Sequence, residues 1–163
     1  MITARPMKIG HFQKNYSLIA SITRKLKGIG KHNISGIRDN ISARRILSKV
    51  EERLGQWVAQ GRHYENYKSM DDILDELGLT GEELSLYCSK VLKKKFLSWR
   101  KELRLEDAKK LLLEHPEAPV CHIGYAVGMN DKSNFRRQFK DYVGCTPLEW
   151  RKQNLEKQGK SAD

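Results

Sequence analysis

No stretch of this chain of 163 residues approaches the roughly 18 consecutive apolar residues that a membrane-crossing helix requires. The opening residues, MITARPMKIG, lack the apolar core of a signal peptide, so a cytoplasmic setting is expected. Cysteine is scarce and badly placed for cross-linking. Cys88, Cys121 and Cys145 are odd in number, widely spaced and form no CxxC pair, so reduced thiols are expected. The five histidines (His11, His32, His63, His115, His122) are scattered without metal-ligand spacing, so neither a metal nor another cofactor is expected. No cysteine has a readable His and acid arrangement to activate it, which argues against an enzyme. The GIGK string lacks the spacing of a phosphate loop and follows no strand pattern. Acid, finally, is almost missing from the first quarter. Residues 1–45 hold ten Lys/Arg against the single acid Asp39, whereas residues 67–163 hold 18 Lys/Arg against 16 Asp/Glu. Most of the net charge of +11 therefore sits in an N-terminal arm. A cationic arm suits a polyanion, of which nucleic acid is the commonest, although many basic tails serve solubility alone.

What is present is helix. Residues 1–41 read as a basic extension, its glycines set among polar residues, with one amphipathic segment in YSLIASITRKLK. From Ser42 to Gln60, Ile46, Val50, Leu54 and Trp57 form an apolar stripe at helical spacing. Such a stripe suits either packing on the following domain or a dimer seam. GRHYENYK then breaks the pattern, so residues 42–66 are read as a helix and its connection. Ser69-Met-Asp-Asp72 reads as a helix cap, Thr80-Gly-Glu-Glu83 as a capping box, and Thr146-Pro-Leu-Glu149 as another with Pro147 at the first helical position. Phe96 to Leu113 is a long helix closed by His115-Pro116. No convincing strand alternation occurs, and the expected class is all-α.

Two segments repeat. DDILDELGLTGEELSLYCSK and CHIGYAVGMNDKSNFRRQFK align Ile73 with Ile123, Leu77 with Val127, Gly78 with Gly128 and Leu79 with Met129. After one extra residue in the second copy, Leu84 aligns with Phe135 and Cys88 with Phe139. Each copy is a short apolar-faced helix, a glycine able to take a positive φ, and a second apolar-faced helix. This is the layout of a helix-turn-helix, whose second helix can lie in a major groove. The helix between them would be about 27 Å long, against roughly 34 Å between successive major grooves on one face. One monomer could then reach two grooves.

The string I123-G-Y-A-V-G128-M-N-D-K-S133-N-F135-R-R-Q-F139-K140-D-Y-V-G144-C-T146-P147-L-E-W-R151 resembles the signature of the AraC/XylS family of bacterial transcription activators. FLSWRKELRLEDAKKLLL is similar to that family's linker helix, including an RLxxAxxLL core. The resemblance covers about residues 67–152, leaving 153–163 as a polar tail. It implies two helix-turn-helix subdomains joined by a long linker helix, with the basic extension and the extra helix added in front. It also implies double-stranded DNA and RNA polymerase as partners, and no catalysis.

For individual residues the resemblance implies that the second recognition helix begins near Asp131 and presents Lys132, Ser133, Arg136 and Arg137 to DNA. Phe135, Phe139, Ile123, Val127, Trp150 and Trp99 are expected in the core. Thr146, at a helix N-terminus, could hold a phosphate. The first unit departs from the family: its recognition helix offers Glu82, Ser85 and Leu86, Leu74 replaces a small residue, and Lys93 stands where glycine usually turns. Lys93 and Lys94, with Lys95, then read as a phosphate-gripping turn, and the second unit should dominate base readout. Nothing upstream resembles a sugar-binding barrel or a receiver domain; the sensing part is absent, unrecognisable, or lies in a longer parent. The helix at 42–60 resembles segments that precede this domain in membrane-coupled regulators. Two rivals remain: a DNA-repair alkyltransferase, some of which carry such a domain, and an interaction module that kept the scaffold but lost its hold on DNA.

Overall fold

The computed structural model describes the backbone of residues 34–160 and the side chains of residues 41–157. Most of the basic arm, with its amphipathic segment, lies outside the described residues. Seven α-helices and no strand occur among the described residues, and no described helix is long and apolar enough to cross a membrane.

Helix α1 (Ile34–Ala59) starts eight residues before the Ser42 expected from the apolar stripe. Once the patterned segment is helical, each further residue adds a hydrogen bond for one more fixed backbone unit, so a helix runs into flanking sequence that has no pattern of its own. It ends at Gly61, which takes a left-handed φ of 72° and leads into a 3₁₀ turn, Arg62–Tyr64. Helix α2 (Met70–Leu77) opens with a reciprocal capping box between Ser69 and Asp72 and ends at Gly78. Helix α3 (Gly81–Tyr87) opens with the box of Thr80 and Glu83, then widens into one π turn, Cys88–Leu92. The linker helix α4 (Phe96–Glu114) is about 28 Å long at 1.5 Å per residue. Helix α5 (Val120–Ala126) and helix α6 (Lys132–Val143), capped by Asp131, complete the second unit. Helix α7 (Pro147–Lys160) extends well into the segment read as a polar tail.

Two cores result, and α4 feeds both. Val50, Leu54, Trp57, Ile73, Leu77, Leu84, Tyr87, Phe96 and Trp99 form the first. Leu105, Ala108, Leu112, Ile123, Val127, Phe135 and Phe139 form the second, with Tyr64 packed against it. The aligned apolar positions of the two units are thus buried, apart from Met129 and Cys88, which are half-buried; beside Cys88, Tyr87 fills the core at 2 % exposure. Trp150 is half-buried at the edge of the second core, its ring 6.3 Å from that of Phe139.

Of the two readings of the stripe on α1, packing on the following domain is the one the core displays. Val50, Leu54 and Trp57 are 0, 2 and 4 % exposed inside the chain's own first core. Burying each such side chain contributes about 1.5–3 kcal/mol, and none of that surface is left to seam a dimer. Helix α1 is therefore an integral part of the first unit.

Candidate nucleic-acid interface

Helix α6 is oriented by its aromatic residues. Phe135 and Phe139 point inward one turn apart, their rings 5.8 Å from each other and nearly perpendicular. Helix α5 comes so close that a Cβ on Gly124 would sit 2.9 Å from the Phe135 ring, so a small residue is needed there. With that face fixed, Lys132, Ser133, Arg136, Arg137 and Lys140 are all exposed on the remainder of α6. Asn134, between them, is a local organiser: its Oδ1 accepts from Arg137 Nη2 at 2.9 Å and from Gln138 Nε2 at 2.8 Å. The sequence singled out Lys132, Ser133, Arg136 and Arg137; Lys140 and the orienting Asn134 emerge only from the structure.

Helix α3, at the matching place in the first unit, carries a different load. Glu82 and Ser85 are exposed at its surface. Glu83 is occupied: it accepts from the Thr80 N–H at 2.9 Å and forms an ion pair with Lys49 of α1 at 2.9 Å. The Lys49 ammonium, then the Thr80 N–H, hold the Glu83 carboxyl below its ordinary range. Among the turn lysines, Lys93 adopts a left-handed φ of 56° and is exposed, while Lys94 is bonded to Glu102. Thr146 does not lie on the exposed face. It is 8 % exposed, its N–H donates to Glu149 Oε2 at 2.8 Å, and its hydroxyl accepts from the Glu149 N–H. Thr146 therefore caps α7, and its N–H, which the sequence left open for a phosphate, is already engaged.

Between the two units the chain leaving α1 builds a buried polar network. His63 is fully buried and its Nε2 lies 3.1 Å from Asp107 Oδ2, which also accepts from the Tyr64 hydroxyl at 2.9 Å. Lys110 donates to the other oxygen, Asp107 Oδ1, at 2.8 Å. Burial would raise the Asp107 carboxyl, but the bonds from His63, Lys110 and Tyr64 outweigh it and hold it below its usual value. Burial pushes His63 down, and Arg104 and Arg100 add to this against the opposing pull of Asp107. A neutral His63 beside an ionised Asp107 must donate from Nε2. Arg100 stacks over Trp57 at 5.4 Å and donates through Nε to the His63 carbonyl at 2.9 Å. Arg104 adds a second bond to that carbonyl at 2.6 Å. A polar cleft of about 350 Å³ opens between α4 and α6, lined by Arg100, Lys101, Arg104, Asn134 and Gln138 among others.

Burial pushes the Cys88 thiol up, away from the thiolate a catalytic cysteine needs. No cluster of three or more metal-ligating side chains occurs among the described residues.

Residues 73–153 match the family model described as a helix-turn-helix domain. The chain is 33 % identical over 109 residues to YdeC, an HTH-type transcriptional regulator of Bacillus subtilis, covering 67 % of this chain and 36 % of that protein. It is 42 % identical over 55 residues to the arabinose operon regulatory protein of Salmonella typhimurium, covering 34 % of this chain and 19 % of that protein. The segment is an AraC-type helix-turn-helix domain. The fold of this AraC-type domain is shared by the C-terminal domain of AraT, a response regulator from Geobacillus stearothermophilus, with a TM-score of 0.52 at 20 % identity. That likeness covers 68 % of this chain and 84 % of the AraT domain. The chain spans about a third of the length of YdeC and about a fifth of the arabinose regulator.

Proposed function

We propose that this chain is a sequence-specific DNA-binding transcription regulator in which α6 dominates base readout and α3 contributes fewer or weaker contacts. The observation that carries this reading is the exposed face of α6, with Lys132, Ser133, Arg136, Arg137 and Lys140 opposite a face locked by Phe135 and Phe139. Arg136 and Arg137 have the planar donor fork that pairs with guanine O6 and N7, and Lys132 and Lys140 suit phosphate. Ser133 suits either. On α3, Glu82 can accept from cytosine N4 and Ser85 can reach a base or a phosphate. Lys93 is free to grip the backbone, whereas Lys94 would first have to leave Glu102. Thr146 acts here by fixing α7. The regulator would act on RNA polymerase recruitment as an activator, as the AraC/XylS resemblance implies.

A randomised duplex pool tests this. Sequencing the retained fraction at two salt concentrations should give an enriched site spanning two major grooves, with log affinity falling by about 0.9 per neutralised phosphate per log unit of salt. Replacing Arg136 and Arg137 together by Ala should weaken binding to that site more than Ser85→Ala, by about 1–3 kcal/mol for each bidentate arginine–guanine pair removed. The opposite ranking would reverse the assignment of the two helices. The exposed Glu82 at the start of α3 favours one second reading, a protein-interaction module on the same scaffold, and a pool with no enriched sequence would establish it instead.

A further inference from the structure

The two units share α4, but one helix passing through two cores does not by itself fix how they are rotated and spaced. A second tie runs alongside it. Residues 61–68, the chain between α1 and α2, are held on the first unit by an acidic anchor. Glu76 of α2 accepts from Arg62 and, at 2.6 Å, from Lys68, while Lys68 also pairs with Glu65 at 2.8 Å. The same short segment is held on the second unit by the turn between α5 and α6. Asn66 Nδ2 donates to the Gly128 carbonyl at 3.2 Å, and the Tyr64 side chain packs against the second core. The approach is backbone to backbone: a Cβ on Gly128 would lie 1.8 Å from the Tyr64 carbonyl oxygen.

One side chain closes this brace. Arg104, midway along α4, uses three different guanidinium nitrogens. Nε donates to the His63 carbonyl at 2.6 Å, Nη2 to the Glu65 carbonyl at 3.0 Å and Nη1 to the Gly128 carbonyl at 3.2 Å. Two of those acceptors belong to the chain leaving α1 and the third to the turn of the second helix-turn-helix. A rigid planar fork can hold three carbonyls at fixed mutual angles, which a flexible ammonium cannot. The linker helix, the segment behind α1 and the second turn are thereby locked at one point.

We propose that Arg104, assisted by Asn66, is a positioning residue that sets the spacing between the two recognition helices, and so selects the spacing of the two halves of the DNA site. The DNA part rests on the function proposed above; the mechanical part does not. Through the same brace, α1 is tied to both units, so a displacement of α1 would be felt at α6 as well as at α3.

The test uses the full chain with its three cysteines replaced and spin labels at S85C and S133C, one on each recognition helix. Pulsed dipolar spectroscopy without DNA should give one narrow distance distribution, broadened or split in Arg104→Met and broadened less in Asn66→Ala. An unchanged distribution in an Arg104→Met protein of native helicity overturns the brace. Asn66 is exposed and its variant leaves both cores intact, so Asn66→Ala keeps the test decisive should Arg104→Met fold poorly; an unchanged width there overturns the proposal too. Duplexes selected by the parent chain, rebuilt with the spacer lengthened or shortened by one or two base pairs, read the DNA part. The parent should discriminate spacers by at least about tenfold, because linked sites bind together only when the linker geometry fits. Arg104→Met should flatten that discrimination while its affinity for a half-site read by α6 stays within about twofold. Spacer discrimination retained in full overturns the positioning role. If the parent binds no half-site, the DNA reading falls while the distance measurement still decides the brace.

Discussion

Two glycines that align in the repeat illustrate what a single residue can owe to different causes. Gly78 and Gly128 both end a first helix with positive φ, at 60° and 75°. Around Gly78 nothing lies within 4 Å of where a Cβ would stand, whereas at Gly128 the Tyr64 carbonyl occupies that place. Ala at position 78 should therefore cost only the left-handed backbone penalty, about 1–2 kcal/mol. Ala at position 128 carries the same penalty and must also push the 61–66 segment off the second unit, and should cost more than about 3 kcal/mol. Urea midpoints of the two variants measure the difference, and equal penalties would show that the Tyr64 carbonyl gives way without cost. The turn glycines were legible in the sequence because their need is local. The extra demand on Gly128 was not, because its cause is the backbone oxygen of Tyr64, far upstream in the chain and invisible to any periodicity.

At the scale of elements, the sequence was most readable where a pattern repeats or a cap is reciprocal. The capping residues Ser69 and Thr80, the linker helix and the inward-facing Phe135 and Phe139 all lie where the spacing puts them, and α6 begins beside Asp131, as the family resemblance implied. The start of α1 was not readable, since residues 34–41 carry no stripe, and the stripe further on did not reveal whether its partner lay within the chain or in another copy. Arg104 stands in the RLxxAxxLL core that the sequence displays, yet its role was hidden because its partners are carbonyls, which every residue has. The turn between the π turn and α4 offers a sharper case. Lys93 holds φ 56° without being glycine, a conformation that costs an L side chain about 1–2 kcal/mol, partly offset in Lys93→Gly by the larger entropy of an unfolded glycine. Lys93→Gly should raise stability by up to about 1 kcal/mol. If the lysine grips a phosphate, the same change should lower the salt slope of DNA binding by about 0.9. A variant that is more stable with an unaltered slope would remove Lys93 from the interface and leave its strain without a binding role.

The molecule as a whole is joined through a buried group that titrates. His63 sits between the first and second units, fully buried, with Asp107, Arg100, Arg104 and Tyr64 around it. Its folded-state pKa is lowered from an ordinary value of 6.5, chiefly by burial. Between those two values the unfolded chain binds a proton that the folded chain refuses, so stability is complete above pH 6.5 and falls as the pH drops through the window below it. Asp107, also held below its ordinary value of 3.8, adds a second destabilisation at lower pH, with the same sign. A single such proton contributes a slope of at most about 1.4 kcal/mol per pH unit. Urea unfolding of the parent chain and of His63→Gln, which keeps a donor for Asp107 but cannot charge, should be compared between about pH 7.5 and about pH 5, on either side of the ordinary histidine value. The stability difference between them should shrink or reverse on acidification, because only the parent is destabilised by refusing the proton. A difference independent of pH would mean that His63 takes its proton inside the fold, beside Asp107, at no cost, and that the junction between the two units tolerates a full charge where burial argues against one.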